Sequence, residues 1–166
     1  MRLWITLATA ALLAACASAP DYYVMRHLQK ADGQDPALSE LGRRKAENLP
    51  YVIGDPRPRA IYVSATRRAR ETAAVAAERF GIAPQEYDPR DTSALIARAR
   101  RERGPVLIVG HSNTVPEIVT ALSGRPVPPM SESDYGLIYY VRGRDRAVIL
   151  NSIDRVCAPA IDQAGC

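Results

Sequence analysis

The chain has 166 residues, of which 47% are apolar and 24% charged, with a net charge of +4. That is enough for one domain with a real core, and it excludes wholesale disorder. The mild positive balance comes without a zinc-finger, helix-turn-helix or stacking-aromatic pattern, so no nucleic-acid partner is expected. Arginine runs such as Arg67, Arg68 and Arg70 or Arg98, Arg100, Arg101 and Arg103 suit solvated helix faces, anionic small molecules or an anionic membrane surface.

The N-terminus reads as an address. Met1-Arg2 precedes an apolar, alanine-rich run from Leu3 to Ala15, the pattern of a secretory signal over residues 1–15. The run is shorter than the roughly 20 apolar residues a spanning helix needs. Leu13-Ala14-Ala15-Cys16 resembles the lipobox of bacterial lipoproteins. The resemblance implies cleavage before Cys16, lipidation of Cys16 and a lipid anchor in the membrane. Ala17 stands where an aspartate usually marks inner-membrane retention, which implies a periplasm-facing lipoprotein of the outer membrane. Ordinary cleavage after Ala17-Ser18-Ala19 would instead leave a soluble periplasmic form. Residues 16–20 then form a linker, 21–156 the folded domain and 157–166 a C-terminal tail. Cys157 and Cys166 form an even pair, either bridged in an oxidising compartment or free thiols in the tail.

The next stretch, Asp21 to Arg26, favours a strand and ends at His27. A polar loop over 29–38 leads to Ser39, a helix N-cap. The helix Glu40–Leu49 follows, with Leu41 and Leu49 on compatible turns. Pro50, Pro56 and Pro58 mark a connection to a strand at Ala60–Val63. Ser64 or Thr66 caps a helix from about Arg67 to Phe80, ended by Gly81. A short extended segment fits Ile82–Tyr87. Asp91 or Thr92 begins a helix through Arg103, stopped by Gly104-Pro105. Val106–Val109 is the clearest buried strand and leads to Gly110-His111. A helix over Val115–Leu122 accommodates Pro116 in its first turn. After a Pro-rich loop at 124–133, Tyr135–Val141 and Ala147–Ile153 flank a hairpin turn. Alternating strands and helices predict a three-layer α/β/α sandwich, its sheet mainly parallel with an antiparallel edge hairpin. The chain's two histidines, His27 and His111, then both lie beyond carboxyl ends of strands, where ligands bind in such sheets.

Arg26-His27, then Ser64-Ala65-Thr66-Arg67-Arg68-Ala69-Arg70-Glu71-Thr72-Ala73, then Gly110-His111-Ser112 together resemble the histidine phosphatase (phosphoglycerate mutase-like) superfamily. The short chain is similar to its phosphohistidine-phosphatase-type branch. The resemblance implies that His27 is a nucleophile that becomes phosphorylated, and that Arg26, Arg68 and His111 complete a phosphate pocket. Arg68, rather than Arg67, matches because it directly precedes Ala69. The chemistry agrees: guanidinium forks match phosphoryl oxygens, and positive neighbours keep an imidazole neutral and nucleophilic. Lys30 and Ser112 are rim candidates for binding substrate; a solvated lysine and a backbone-bonding serine are the plainer readings. No metal and no cofactor are expected, because two histidines without a carboxylate cluster make a poor metal site.

Three departures stand out. Leu28 replaces the motif's usual glycine, adding bulk beside the nucleophile, and Ala65 stands where proline is common. No residue matches the family's general-acid glutamate. Asp88 and Asp91, with Glu86 behind them, are the candidates, although Asp91 also reads as a helix cap. Without an acid, substrates with good leaving groups are favoured, such as phosphohistidine or phosphoanhydrides over simple phosphomonoesters. The expected activity is hydrolysis of a small phosphorylated substrate. The alternative is a non-catalytic lipoprotein that binds phosphate or a phosphorylated ligand.

Overall fold

The structure, a computed structural model, describes residues 19–155. The expected signal segment with Cys16 and the tail with Cys157 and Cys166 lie outside them. The chain runs β1 (Tyr22–Arg26), α1 (Glu40–Val52), β2 (Ala60–Ser64), α2 (Arg67–Phe80), β3 (Gln85–Tyr87), α3 (Thr92–Ala99), β4 (Val106–Gly110), α4 (Val115–Ser123), β5 (Leu137–Val141) and β6 (Val148–Ser152). A single turn of 3-10 helix follows at Ile153–Arg155. The strands form one six-stranded sheet in the order β3-β2-β4-β1-β5-β6. The first four in that order are mutually parallel; β5 runs antiparallel to β1, and β6 to β5. This is the expected three-layer arrangement with its antiparallel edge hairpin.

Strands β1, β2 and β4 are buried along their whole length, which requires cover on both faces and explains their unbroken apolar runs. Alternation divides them between two cores. Tyr23, Met25, Ile61, Val63, Leu107 and Val109 pack under α1 and α2. Tyr22, Val24, Tyr62, Val106 and Ile108 pack under α3 and α4. Each fully buried leucine or isoleucine here contributes about 1.5–3 kcal/mol.

The boundaries differ from expectation where packing overrides local signals. Helix α1 continues through Pro50 to Val52, because Leu49 and Pro50 are buried and the Ile53 N–H still reaches the Leu49 carbonyl at 3.1 Å. Its inward face is Gly42, Ala46, Leu49 and Pro50, so Leu41, one position off, is 44% exposed rather than core. Gly42 is required there: a Cβ would collide with the Gln29 backbone, on which α1 rests. Helix α3 stops at Ala99, and the chain tightens through Arg101 and Glu102 with i→i−3 bonds of 3.0 and 3.2 Å. Thr66 is the N-cap of α2 but makes no side-chain cap; Asp35 accepts from the Arg67 N–H at 2.9 Å instead. Pro20, expected in a linker, is buried.

Candidate active site

The site forms where β1 and β4 end side by side. The His27 N–H donates to the Gly110 carbonyl at 3.0 Å, extending the β1–β4 ladder past Arg26. The next residue on β4's side is His111. A Cβ on Gly110 would lie 2.8 Å from Thr114 Oγ1 and 2.9 Å from the Tyr87 hydroxyl, so glycine here lets Tyr87 and the turn into α4 pack against the end of β4. The His27 and His111 rings meet edge to face, 5.3 Å between centroids. Nδ1–H of His27 donates to the Leu28 carbonyl at 2.8 Å, which leaves the lone pair on Nε2.

Leu28 does not crowd His27. Its side chain is fully buried in the core beneath α1 and α2, so the bulk expected beside His27 points away from it. The Leu28 N–H donates to Thr72 Oγ1 at 3.0 Å, and that hydroxyl donates to the Arg68 carbonyl at 2.8 Å. Thr72 thus ties the turn after β1 to α2, and with it His27 to Arg68.

Arg26 is only 2% exposed. Its guanidinium lies 4.2 Å from the centre of the Tyr135 ring. Nη1 donates to the Ser131 carbonyl at 3.0 Å, and Nη2 to Glu132 Oε2 at 2.7 Å. Arg68, in the first turn of α2, places Nη2 3.5 Å from His111 Nδ1 and Nη1 3.7 Å from Asp35 Oδ1. Arg67 points outward to Glu71. Nε of Arg26 and Nε of Arg68 are both buried without a hydrogen-bond partner among the described residues. Unpaired buried donors are costly, and two from guanidiniums in one pocket suit an anion.

Burial lowers the His27 pKa from its ordinary 6.5 to about 4, reinforced by Arg26 and Arg68 and opposed by the bond to Leu28. His111 is lowered to about 4 by burial first, then by Arg68 and Arg26. Burial, more than the positive neighbours anticipated from sequence, keeps both rings neutral. The Ser112 hydroxyl and Arg26 hold the Glu132 carboxyl below its ordinary value, so it is ionised at neutral pH.

The pocket itself is small, about 190 Å³. Arg26, His27, Arg68 and His111 line it together with Lys30, Ser112, Asn113 and Glu132. Lys30 is exposed at the rim, and Ser112 Oγ donates to Glu132 Oε1. Asp88 and Asp91 are not in this lining. Asp88 pairs with Arg90 at 2.9 Å, and Asp91 caps α3 by accepting from the Ala94 N–H at 3.0 Å. The reason is topological: β3, which precedes them, is three strand positions from β1, a lateral distance of about 14 Å. Glu86 is turned to Arg70 at 2.8 Å. The carboxylate in the pocket is Glu132, which sequence reasoning missed, as it missed the stacking role of Tyr135 and the placement of Asp35. The available signal was the antiparallel β5: its start lies at β1's carboxyl end, so the loop before it returns over the site. Among the described residues no group of three or more His, Cys, Asp or Glu could hold a metal ion. No helix among them is long and apolar enough to cross a membrane.

Residues 23–92 match the sequence profile of the histidine phosphatase superfamily (branch 1). No curated protein matches the chain. Among solved structures, SixA from Agrobacterium tumefaciens, provisionally assigned as a phosphohistidine phosphatase, is 24% identical with a TM-score of 0.61, covering 81% of this chain and 99% of its own. A mycobacterial glucosyl-3-phosphoglycerate phosphatase is 19% identical with a TM-score of 0.60, covering 81% and 98%. The protein histidine phosphatase SixA complexed with tungstate is 17% identical with a TM-score of 0.60, covering 81% and 97%. The segment that carries Arg26, His27 and Arg68 therefore matches the histidine phosphatase superfamily, and the described residues have that superfamily's fold.

Proposed function

We propose that the protein is a phosphatase that works through a phosphohistidine on His27 and needs no metal. The observation that carries the reading is the neutral His27 ring, its Nδ1–H held by the Leu28 carbonyl so that the lone pair is on Nε2, packed edge to face on His111 in a pocket lined by Arg26 and Arg68. In the first step Nε2 attacks phosphorus and the bond to the leaving group breaks, its electron pair departing with that group, which takes up a proton from water. In the second step water attacks phosphorus, the P–N bond breaks, and inorganic phosphate leaves with the lone pair restored to Nε2. Arg26 and Arg68 bind the non-bridging oxygens, and a bound dianion raises the His111 pKa so that its ring donates as well.

Glu132 is ionised and committed to Arg26 and Ser112, so it offers the leaving group no ready proton. That favours substrates whose leaving group departs easily: phosphohistidine, acyl phosphates or phosphoanhydrides. The likeness to SixA structures supports the short phosphohistidine-phosphatase branch, and the mycobacterial neighbour keeps a sugar phosphate ester in view. The N-terminal pattern supports a site in the cell envelope on a lipid-anchored chain, with the periplasmic face of the outer membrane as its place.

The test is hydrolysis of acetyl phosphate and p-nitrophenyl phosphate by the full chain and by a His27→Ala variant, with acid-labile phosphate on the protein measured in parallel. Turnover and label that both vanish in the variant, with acetyl phosphate preferred, are the expected result. Saturable phosphate binding with no turnover of either substrate would favour the binding-protein alternative. Turnover surviving the substitution would remove His27 from the role of nucleophile.

A further inference from the structure

A strongly basic surface lies at the other end of the sheet from the pocket. Because β5 is antiparallel to β1, Val141 pairs with Tyr22, and the hairpin turn with Arg142, Arg144 and Arg146 sits where β1 begins. Val106 also pairs with Tyr22, so the turn from α3 into β4 brings Arg100, Arg101 and Arg103 to the same pole. Two arginine groups about 40 residues apart in sequence are thus one surface. Ala19 runs between them. It shares a cleft of about 510 Å³ with Arg103, Arg142 and Arg144, and a second cleft with Arg100 and Arg146.

The carboxylates nearby are few and already engaged. Asp145 pairs with Arg142 at 2.8 Å, Asp21 accepts from the Tyr140 hydroxyl and the Gly143 N–H, and Glu102 accepts from the Tyr62 hydroxyl. Arg59 and Asp55 add one charge of each sign at the edge. Arg100, Arg101, Arg103 and Arg146 pair with no carboxylate among the described residues, and all four are exposed. Six arginines against three carboxylates place most of the chain's net charge of +4 at this pole.

We propose that this pole docks on an anionic lipid bilayer. The described chain joins the fold at Ala19, in the middle of the basic surface, three residues after Cys16 and four after the apolar run Leu3–Ala15. Attachment through that segment brings this face toward the headgroups. One acyl anchor holds a protein only marginally, and a basic patch beside it is a second signal of the kind stable attachment uses. The orientation has a functional result. The five residues of β1 span about 17 Å, so the pocket opens away from the bilayer and receives substrates from the aqueous side. The orientation rests on the anchor reading of residues 1–16 and not on the phosphatase reading.

The test uses the full chain carrying Cys16→Ser, which removes the acyl site, with vesicles of phosphatidylcholine alone or of phosphatidylcholine with three parts in ten phosphatidylglycerol. Partitioning on the anionic vesicles is expected to be at least about tenfold stronger, and the difference lost at about 0.5 M salt. The triple variant Arg103→Glu, Arg144→Glu and Arg146→Glu should abolish the difference, and the milder Arg→Gln set should reduce it. Thermal melting of each variant verifies that it is folded. Equal partitioning on the two vesicles, a preference that survives the reversal, or tighter binding to a short single-stranded DNA than to the anionic vesicles would each overturn the proposal. The mass of the native chain reads Cys16 acylation separately: an unacylated chain that still prefers anionic vesicles would sink the anchor and leave the docking face standing.

Discussion

Glu132→Gln probes the contact that most directly opposes substrate binding. Glu132 Oε2 accepts from Arg26 Nη2 at 2.7 Å, so a phosphoryl group has to displace one anion in order to bind as another. The carboxylate is 82% exposed, and exposed ion pairs contribute about 0.2–1 kcal/mol because water competes. The arginine is only 2% exposed, which moves the pair to the upper end of that range. Removing the charge should therefore make inorganic phosphate bind about fivefold more tightly, the equivalent of roughly 1 kcal/mol. The assay is calorimetric titration of phosphate or tungstate near pH 7, which needs no turnover. Since the Glu132 pKa is lowered, the carboxylate stays ionised from neutral pH down to mild acid, and the difference between the two proteins should hold there and shrink only as Glu132 protonates. Weaker phosphate binding in the variant would refute the competition argument. So would unchanged binding with a turnover loss that grows as the leaving group becomes poorer; that pattern would make Glu132 a proton donor.

Thr72→Ala should leave the buried Leu28 N–H without an acceptor, costing about 1–3 kcal/mol in chemical denaturation, while Thr72→Ser restores most of it. Leu28→Ala should lower stability by about 2–5 kcal/mol, as for a core leucine, without improving turnover per folded molecule, since the side chain lies beneath α1 and α2 and not in the pocket. Both histidine pKa values are lowered to about 4, so the unfolded chain binds more protons than the folded one below the ordinary 6.5. The histidine contribution to stability is thus complete above about pH 6.5 and is lost as the pH falls toward 4. A His27→Gln/His111→Gln variant should show a shallower decline of Tm across that window.

Legibility from the sequence followed the sheet. Where a chemically loaded residue ends an apolar run, as His27 and His111 do, the strand that buries the run also determines where that residue emerges. Arg68 is readable for a similar reason, because it lies in the first turn after β2. Asp88 and Asp91 look equally well placed along the chain, but they follow an edge strand, and nothing in the local sequence states how far that edge lies from β1. Glu132, Ser131 and Tyr135 depend on a longer chain of consequences: β5 must turn antiparallel, pair with β1 and so carry the preceding loop back over Arg26. The continuation of α1 through Pro50 and the outward Leu41 belong to the same class, since the close approach of Gly42 to the Gln29 backbone decided which face of the helix turned inward.

The bond that sets the tautomer of His27 is accepted by a peptide carbonyl, that of Leu28, rather than by a carboxylate side chain. No amino-acid substitution removes a backbone carbonyl. The side chains around His27 are therefore open to mutational change, in Arg26, Arg68, His111 or Glu132, while the ring nitrogen that carries the lone pair stays the same. Sequence drift around such a site can alter what it binds, and the ring nitrogen that His27 offers to the pocket, Nε2, remains constant throughout.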